Sequence, residues 1–270
     1  MKESDLKRIT ESNRAAWNEV MPLHQRAASV KLDRLFSQPG HVHLDATEVD
    51  LLERIELTGK NVAHLCCNNG SELLSLKNLG AAECVGFDIC DLAIQEARQR
   101  AAANRIDCQF VRTDVYEIDP IYEQRFDLVY ISAGCLGWLP DLQQFFARAA
   151  VLLKLGGRVF IHEIHPFSEM LPFDEEQPTE KLGITSPYFK KEPYLEQGGL
   201  DYIGHAEYAS TTTQYQFVHT LSDILMGLIN NNLQIEQFHE YEQDISAGHR
   251  RIEEAKAGIP LSYILIGRKA

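Results

Sequence analysis

The chain has 270 residues, and its 26 Lys and Arg against 39 Asp and Glu give a formal net charge of −13. This length suits one large domain or two small ones, and it allows a sizeable hydrophobic core. Hydrophobic residues make up 44% and charged residues 24% of the chain. That composition is ordinary for a globular protein and excludes a disordered, collagen-like or coiled-coil chain.

Charge and cysteine content narrow the class further. The acidic balance argues against nucleic acids and anionic membranes as partners, because both require clustered Lys and Arg. No uncharged apolar run reaches about 18 residues, so no membrane span is expected. The segment MKESDLKRITESNR has no apolar signal core, and all six cysteines lie between Cys66 and Cys135 without a C-x-x-C pair. We therefore expect a cytoplasmic protein with buried thiols and no metal site.

The first 57 residues are predicted to form helices. Ser4 can cap a helix that runs towards Val20, and Pro22 suits the first turn of a second helix. Thr47 with Asp50 three residues later resembles a capping box for a third helix.

From Asn61 onward, short apolar runs alternate with amphipathic segments. The predicted strands are NVAHLC, ECVGFD, CQFVRT, FDLVYI and RVFIHEI, and the predicted helices between them are SELLSLKNL, LAIQEARQRAAA and LQQFFARAAVLL. Strands that alternate with helices at this spacing indicate right-handed crossovers and a mostly parallel sheet.

After His165 this alternation stops. We interpret residues 166–220 as an insertion that ends in a hairpin strand, TTTQYQFVHT. A helix capped by Ser222 and two closing strands, QIEQFHEY and LSYILIG, then complete the sheet. The last two strands have no crossover helix between them, so they are expected to pair antiparallel at the sheet edge. The predicted fold is α/β: a doubly wound, Rossmann-like, seven-stranded sheet within one domain. Its core comprises residues 58–165 and 221–270.

Ligands of doubly wound sheets bind beyond the carboxyl ends of the strands, and the first two strand ends carry suitable residues. Residues 65–70 join the first strand to a helix N-terminus, where free N–H groups favour an anion; alone, this loop could equally be a plain turn. Asp88 ends the second strand and can accept both hydrogen bonds of a ribose diol, or it could cap the following helix. Together the loop and the acid favour a nucleotide site.

The third and fourth strand ends continue this pattern. Asp114 can accept from the amine of adenine, while Val115 or Ile89 packs on the ring; otherwise Asp114 is a solvated turn residue. In Ser132–Asp141, two glycines allow close backbone approach, and Trp138 offers an apolar wall or plugs the core.

The order of these segments resembles the class I S-adenosylmethionine-dependent methyltransferases. The motifs are VAHLCCNNG, VGFDICDLAIQEAR, FVRTDVY, FDLVYISAGCLGWLPDL and LLKLGGRVFIHEIHPF. The likeness is greatest to bacterial small-molecule methyltransferases with an NRxxWN…H segment, an EFHPF-like motif and a Y-x-W-x-H-like motif. Here these segments are Asn13–Asn18 with His24, Glu163–Phe167 and Tyr215–His219, so the resemblance covers about residues 13–240.

The resemblance implies S-adenosylmethionine as the cofactor and an amino-terminal helical lid. The residues that it assigns to the cofactor are Trp17 and His24 in the lid, Leu65, Cys66, Cys67, Asn68, Asn69 and Gly70 at the methionine part, Asp88 at the ribose, Ile89, Asp114 and Val115 at the adenine, and Ser132, Ala133 and Trp138 beside the sulfonium. The chain departs from the family pattern at His64, which replaces an acid, and at Cys66 and Asn68, which replace glycines.

Methyl transfer from a sulfonium is an in-line displacement that depends mainly on alignment. If a general base removes a proton, the candidates are Glu163, His165 and His219. Strand alternation places Glu163 and His165 on one face, whereas His162 faces the other way and is expected to be structural. His165 could instead be a loop residue shaped by Pro166.

The sequence thus predicts an enzyme that methylates a small organic acceptor. The insertion carries Tyr188, Phe189, Tyr194, Tyr202 and Tyr208, which could line an acceptor pocket or pack the insertion onto the sheet. The alternatives are a non-catalytic S-adenosylmethionine-binding regulator and, less favoured because G-x-G-x-x-G is absent, a nicotinamide-dependent oxidoreductase. A homodimer with an exchanged amino-terminal helix is possible, and no nucleic acid or membrane partner is expected.

Overall fold

The computed structural model describes residues 1–174, 183–201, 203 and 208–270. The strands in these residues are β1 (Val62–Leu65), β2 (Cys84–Asp88), β3 (Gln109–Arg112), β4 (Phe126–Ile131), β5 (Leu153–Ile164), β6 (Tyr194–Gln197), β7 (Thr213–Gln216), β8 (Leu233–Tyr241) and β9 (Ser262–Lys269). The α-helices are α1 (Glu3–His24), α2 (Val30–Phe36), α3 (Ala46–Arg54), α4 (Ser71–Asn78), α5 (Asp91–Asn104), α6 (Leu142–Leu152), α7 (Leu221–Ile229) and α8 (Arg250–Glu254). None of the described helices has the length and apolar character needed to cross a bilayer.

Seven strands form one sheet in the order β3-β2-β1-β4-β5-β9-β8. Strands β1 to β5 are parallel, whereas β9 runs antiparallel to both β5 and β8. This confirms the predicted doubly wound sheet and the antiparallel closing strand. The chain builds outward from β1 in one direction and resumes with β4 on its other side. In doubly wound sheets a ligand binds where the strand order reverses, which here is at the tips of β1 and β4.

Hydrophobic side chains cover both faces of the sheet. One face packs against α6 and α7 through residues such as Phe145 and Leu228, and the other packs against α3, α4 and α5 through residues such as Leu52 and Leu74. Because α2 and α3 belong to this second layer, α1 is the part of the predicted lid segment that lies across the strand tips.

The amino-terminal helices differ from the prediction. Lys2, rather than Ser4, precedes α1 as its N-cap, and it makes no side-chain cap. Pro22 lies inside α1 instead of starting a second helix, and the chain continues through a π-helical turn at Gln25–Ser29 into α2. An interior proline removes one helix hydrogen bond and its ring crowds the carbonyl four residues earlier, so tertiary contacts must hold the helix together there.

Two caps are also displaced from their predicted positions. The capping box of α3 is formed by Asp45 and Glu48, not by Thr47 and Asp50. The cap of α7 is Thr220 with Asp223, two residues before the predicted Ser222. In each case an alternative capping residue lay within two positions, so local pattern alone did not distinguish them.

The insertion contains a hairpin in which β6 pairs antiparallel with β7. The predicted strand TTTQYQFVHT is shorter than expected, because only Thr213–Gln216 has strand conformation. Of the predicted aromatic residues in the insertion, Tyr202 lies outside the described residues.

Candidate active site

The loop after β1 turns through the left-handed backbone region at alternate residues. Cys66, Asn68 and Gly70 have φ values of 58°, 45° and 77°. These are the positions at which the resemblance leads one to expect glycine, so Cys66 and Asn68 adopt a glycine-like backbone. Asn tolerates this region better than most residues, whereas Cys does so at a cost. At Gly70, a Cβ atom would come within 2.6 Å of the Phe110 ring.

Backbone hydrogen bonds fix this loop to the core. The N–H of Cys67 donates to the carbonyl of Phe87 at 3.0 Å, and the carbonyl of Asn69 accepts from Arg100 at 2.9 Å. Arg100 is fully buried and also pairs with Asp33 and Glu96. The loop is therefore held rigidly at the tip of β1, where Leu65 is fully buried.

Asp88 joins the first two strand tips. Its carboxylate accepts from the N–H of Asn68 at 2.8 Å and from the N–H of Cys90 at 2.8 Å. Burial raises the pKa of Asp88, and these backbone donors oppose that change. Each oxygen keeps acceptor capacity beyond its backbone bond, because a carboxylate offers about four lone-pair sites. Asp88 can thus hold the loop and still accept from a diol.

The tip of β3 presents a carboxylate beside an apolar side chain. Asp114 accepts from the N–H of Tyr116 at 3.0 Å and from the Thr10 hydroxyl. Burial raises the pKa of Asp114, opposed by these hydrogen bonds. Val115 is buried and Ile89 is half-buried. Because Thr10 belongs to α1, the lid reaches the predicted adenine position.

Ser132, just after β4, lies in a polar chain that sequence reasoning did not identify. Its hydroxyl is 3.0 Å from His64 Nε2 and 3.0 Å from a carboxylate oxygen of Glu72. Burial lowers the pKa of His64 to about 3, so the ring is neutral. Desolvation raises the pKa of Glu72 to about 7, and Glu48 adds to this effect. Glu72 lies in the first turn of α4, directly after the β1 loop. This position is the signal in the sequence that could have placed it near the strand tips.

Glu163 contacts the loop after β4 rather than open space. Its two carboxylate oxygens accept from the N–H of Gly134 at 2.9 and 2.7 Å, with further backbone bonds from Cys135 and Leu136. Burial raises its pKa strongly against these donors. Glu163 therefore holds the loop after β4, which also carries the exposed Ala133, through these hydrogen bonds.

His165 is engaged at both ring nitrogens. The N–H of Phe167 donates to Nδ1 at 3.0 Å, so Nε2 carries the proton and donates to Glu240 at 3.0 Å. The ring also packs edge-on against Tyr263. Burial lowers the pKa of His165, although Glu240 acts in the opposite direction. These contacts hold the turn after β5.

His219 is bound to the loop between β4 and α6. Its Nε2 donates to the carbonyl of Leu139 at 2.9 Å, and the Phe217 ring stacks beside it. Nδ1 is therefore the nitrogen able to accept a proton in the neutral ring. Burial lowers the pKa of His219, which keeps the ring neutral at pH 7.

Two aromatic residues bring the lid onto the β4 loop. The rings of Trp17 and Trp138 meet edge-on with centroids 5.2 Å apart, and His24 lies 5.9 Å from Trp17. His24 is buried, and its Nε2 donates to the carbonyl of Leu200 in the insertion at 2.9 Å. The lid therefore contacts both the strand tips and the insertion.

Polar side chains of α1 fix it in this position, and they were missing from the predicted site. The Asn13 side chain accepts from the backbone N–H of Tyr215 at 2.7 Å and donates to its carbonyl at 3.0 Å. The amide thus forms the pair of hydrogen bonds that a neighbouring strand residue would form. Arg14 makes a two-pronged contact with Asp91 at 2.8 and 3.0 Å, and Asn18 also donates to Asp91. These are the Asn and Arg positions of the NRxxWN segment.

Comparisons with known proteins agree with this arrangement. Residues 62–157 match a family model described as a methyltransferase domain. A ribosomal protein L11 methyltransferase of Neisseria gonorrhoeae is 30% identical over 137 residues, which cover 50% of this chain but only 40% of that protein.

Two solved structures share the fold over most of the chain. One is described as a putative S-adenosylmethionine-dependent methyltransferase of Listeria monocytogenes, with 16% identity, a TM-score of 0.61 and coverage of 83% of this chain and 97% of that chain. The other is a magnesium protoporphyrin IX methyltransferase of Synechocystis with bound S-adenosylhomocysteine, with 15% identity, a TM-score of 0.57 and coverage of 97% and 99%.

Proposed function

We propose that this chain is a class I S-adenosylmethionine-dependent methyltransferase and that it methylates a small organic acceptor. Its fold and the methyltransferase domain matched by residues 62–157 support the first part. One observation carries the proposal: the first two strand tips are joined by the Asn68–Asp88 hydrogen bond, and the lid closes over the third and fourth. This arrangement fits an adenosyl cofactor that lies across the tips.

The residues at the tips suit each part of that cofactor. Asp88 would accept from the ribose, and Asp114 would accept from the adenine amine above buried Val115. The cofactor supplies a methyl group on a sulfonium, which is already activated for displacement. The chain would hold the acceptor in line with it and exclude water beneath Trp17 and Trp138, and such alignment can supply much of the rate enhancement.

A proton acceptor is needed only if the acceptor atom carries a proton in the reaction. Glu163, His165 and His219 stay predictions for this role, although each already makes structural hydrogen bonds. Glu72 is better placed than these three. Its carboxylate contacts Ser132, its side chain is 31% exposed, and its pKa of about 7 suits proton removal at neutral pH.

The enclosed geometry supports a small acceptor over a macromolecule. The lid and the insertion are joined through Asn13 and Tyr215, and such a covered site favours an acceptor small enough to enter beneath them. The name of the Synechocystis protein specifies a porphyrin acceptor, whereas the name of the Neisseria protein specifies a ribosomal protein. Cytoplasmic location, the absence of a nucleic-acid partner and a homodimer stay predictions.

Calorimetry and thermal shift test the cofactor. We expect S-adenosylmethionine and S-adenosylhomocysteine to bind and stabilise the chain, and NAD to do neither. Asp88→Ala should weaken binding by more than about 1 kcal/mol, because hydrogen bonds to a charged group contribute roughly 1.5–3 kcal/mol. Asp119→Ala, which removes a cap carboxylate at Ile121, is the matched control. Stabilisation by NAD alone would indicate the oxidoreductase instead.

Turnover tests the enzymatic part of the proposal. Transfer of a labelled methyl group should be detected with at least one compound in a panel of small amines, thiols, phenols and carboxylic acids. A ribosomal protein extract is assayed in parallel as a macromolecular substrate. Methylation of that extract without methylation of any small compound would contradict a small acceptor. Tight binding of both adenosyl ligands without turnover on any acceptor would favour the regulatory protein.

A further inference from the structure

A carboxylate and histidine cluster lies on the sheet face that packs against α3 and α4. Its members are Asp45, Glu48 and His162, called here the Asp45–Glu48–His162 cluster. His162 Nδ1 is 3.1 Å from an oxygen of Glu48 and 3.7 Å from an oxygen of Asp45. One donor atom from each residue lies within 4.8 Å of the other two. The three donors therefore lie close enough together to contact one ion.

The surrounding structure holds these donors in place. Asp45 and Glu48 accept from each other's backbone N–H groups as the capping box of α3. Glu48 also accepts from the buried Tyr130 hydroxyl. Glu48 and His162 are buried, whereas the Asp45 side chain is 25% exposed. The cluster is thus rigid on its inner side and accessible at Asp45.

The local charge is negative and poorly balanced. Glu72 faces the same region, because its electrostatic neighbours include Glu48 and His162. Within the described part of the chain, no Lys or Arg forms an ion pair with Asp45, Glu48 or Glu72, and histidines are their only basic partners. His64 beside Glu72 is neutral, so among the described residues His162 is the one basic group paired with the carboxylates of Asp45 and Glu48.

We propose that Asp45, Glu48 and His162 bind one divalent transition-metal ion of the Zn²⁺ or Mn²⁺ class. Imidazole and carboxylate ligands together favour these ions over Mg²⁺, which prefers oxygen ligands alone. Metal–ligand bonds of about 2.0–2.2 Å place neighbouring ligand atoms roughly 3–3.6 Å apart, close to the observed 3.1 and 3.7 Å.

Three protein ligands leave a coordination position open, as in sites that bind water or a substrate. Tyr130, which contacts Glu48, and Ser132, which follows β4 at the predicted sulfonium position, are two residues apart. Glu72 contacts Ser132 and faces Glu48 and His162, so the cluster lies close to that position. The metal site itself does not depend on the proposed methyl transfer.

Titration calorimetry of the full chain, freed of metal with a chelator, tests this site with ZnCl₂ and MnCl₂ as probes. We expect one Zn²⁺ per chain, with Asp45→Asn and His162→Gln each weakening the affinity at least tenfold. Asn remains a good N-cap, so Asp45→Asn keeps the start of α3 and remains informative if His162→Gln fails to fold. Asp119→Asn, at another carboxylate cap, should bind as the wild type does.

The alternative is that the cluster binds no metal. In that case His162 is protonated and forms a buried ion pair with Glu48 and Asp45. Absence of stoichiometric binding, or equal affinity in the wild type and Asp45→Asn, would overturn the metal site in favour of that ion pair or of surface binding. S-adenosylhomocysteine binding by the chelator-treated chain is measured in parallel. Failure of that binding would count against the proposed function and not against the metal site.

Discussion

The loop after β1, residues 66–70, shows how single residues set the backbone of the candidate site. Cys66 and Asn68 hold left-handed conformations that glycine adopts freely. Hydrogen bonds from Cys67 to Phe87 and from Asn68 to Asp88 fix the loop. They offset the cost of the left-handed backbone at two non-glycine residues. Gly70 differs from both. It has a left-handed backbone, and its neighbours also leave no space for a Cβ atom.

Gly70→Ala should therefore destabilise the protein more than the same change at Gly59. Both glycines have φ near +76°, so alanine meets a similar backbone cost of roughly 1 kcal/mol at each. At Gly70 the new Cβ also approaches Phe110 at 2.6 Å and Ala97 at 2.9 Å, whereas nothing lies within 4 Å at Gly59. Overpacking adds about 1–3 kcal/mol. Urea unfolding measures the difference, and equal losses at the two sites would contradict this steric account.

Glu163→Gln separates a bracing role from a catalytic one. The amide would turn an N–H₂ group towards backbone donors at Gly134 and its neighbours, so one or more of these buried N–H groups would lose an acceptor. We expect a loss of about 1–3 kcal/mol in unfolding free energy and weaker S-adenosylhomocysteine binding by calorimetry. Glu123→Gln, at an exposed turn, is the control. Unchanged stability and binding with abolished turnover would instead identify Glu163 as the general base.

At the scale of elements, α1 and the insertion hairpin act as one cover. Asn13 pairs with the backbone of Tyr215 in β7, while Glu19 accepts from Ser210 and Thr212. On its other side, α1 is tied to the start of α5 through Asp91. Because α1 bonds to both parts, opening of the cleft requires it to release at least one of them.

Asn13→Ala should accelerate release of S-adenosylhomocysteine. The change leaves the N–H and carbonyl of Tyr215 without their side-chain partner, which costs roughly 1–3 kcal/mol in the closed state. Stopped-flow dissociation should speed up several-fold, with little change in the association rate. Asn104→Ala is the matched control, because the Asn104 side chain donates to the Arg100 carbonyl within α5, away from α1 and the hairpin. An unaltered off-rate would show that α1 does not gate the cleft.

Regular elements were easier to predict than their ends. Alternating apolar runs and amphipathic segments suffice for the sheet and its helices, because burial dominates their formation. Caps depend on which of several adjacent polar residues reaches the free N–H groups. Asp45 was therefore missed in favour of Thr47, and Thr220 in favour of Ser222. The passage of α1 through Pro22 likewise depends on tertiary contacts that no local pattern contains.

For the whole molecule, the strand-tip rule predicted which loops meet, and the Asn68–Asp88 bond joins two of them as expected. Glu72 and the Asp45–Glu48–His162 cluster were not predicted. Their partners lie on distant segments, 60 residues apart for Ser132 and Glu72, and nothing in the linear sequence pairs them. The hydrogen-bond partners of Glu163 and His165 were also beyond reach, since strand alternation gives the face of a side chain but not its partner.

His24 links the docking of α1 onto the insertion to pH. Burial lowers the pKa of His24 below its ordinary 6.5, against the opposing influence of the Leu200 carbonyl, Asp201 and Glu96. The ring is therefore neutral when docked, and it takes up a proton more readily once released. The released state binds more protons below about pH 6.5, so docking weakens as pH falls through that value and is constant above it.

Stopped-flow release of S-adenosylhomocysteine should accordingly be faster at pH 5.5 than at pH 7.5. The limit is about tenfold per pH unit, since one proton is linked to docking. His24→Gln can retain the hydrogen bond to the Leu200 carbonyl at 2.9 Å but cannot titrate in this range, so its release rate should vary less with pH. If the glutamine variant has the same pH dependence as the wild type, another group controls the lid, and the neutral His24 contact is not what holds α1 to the insertion.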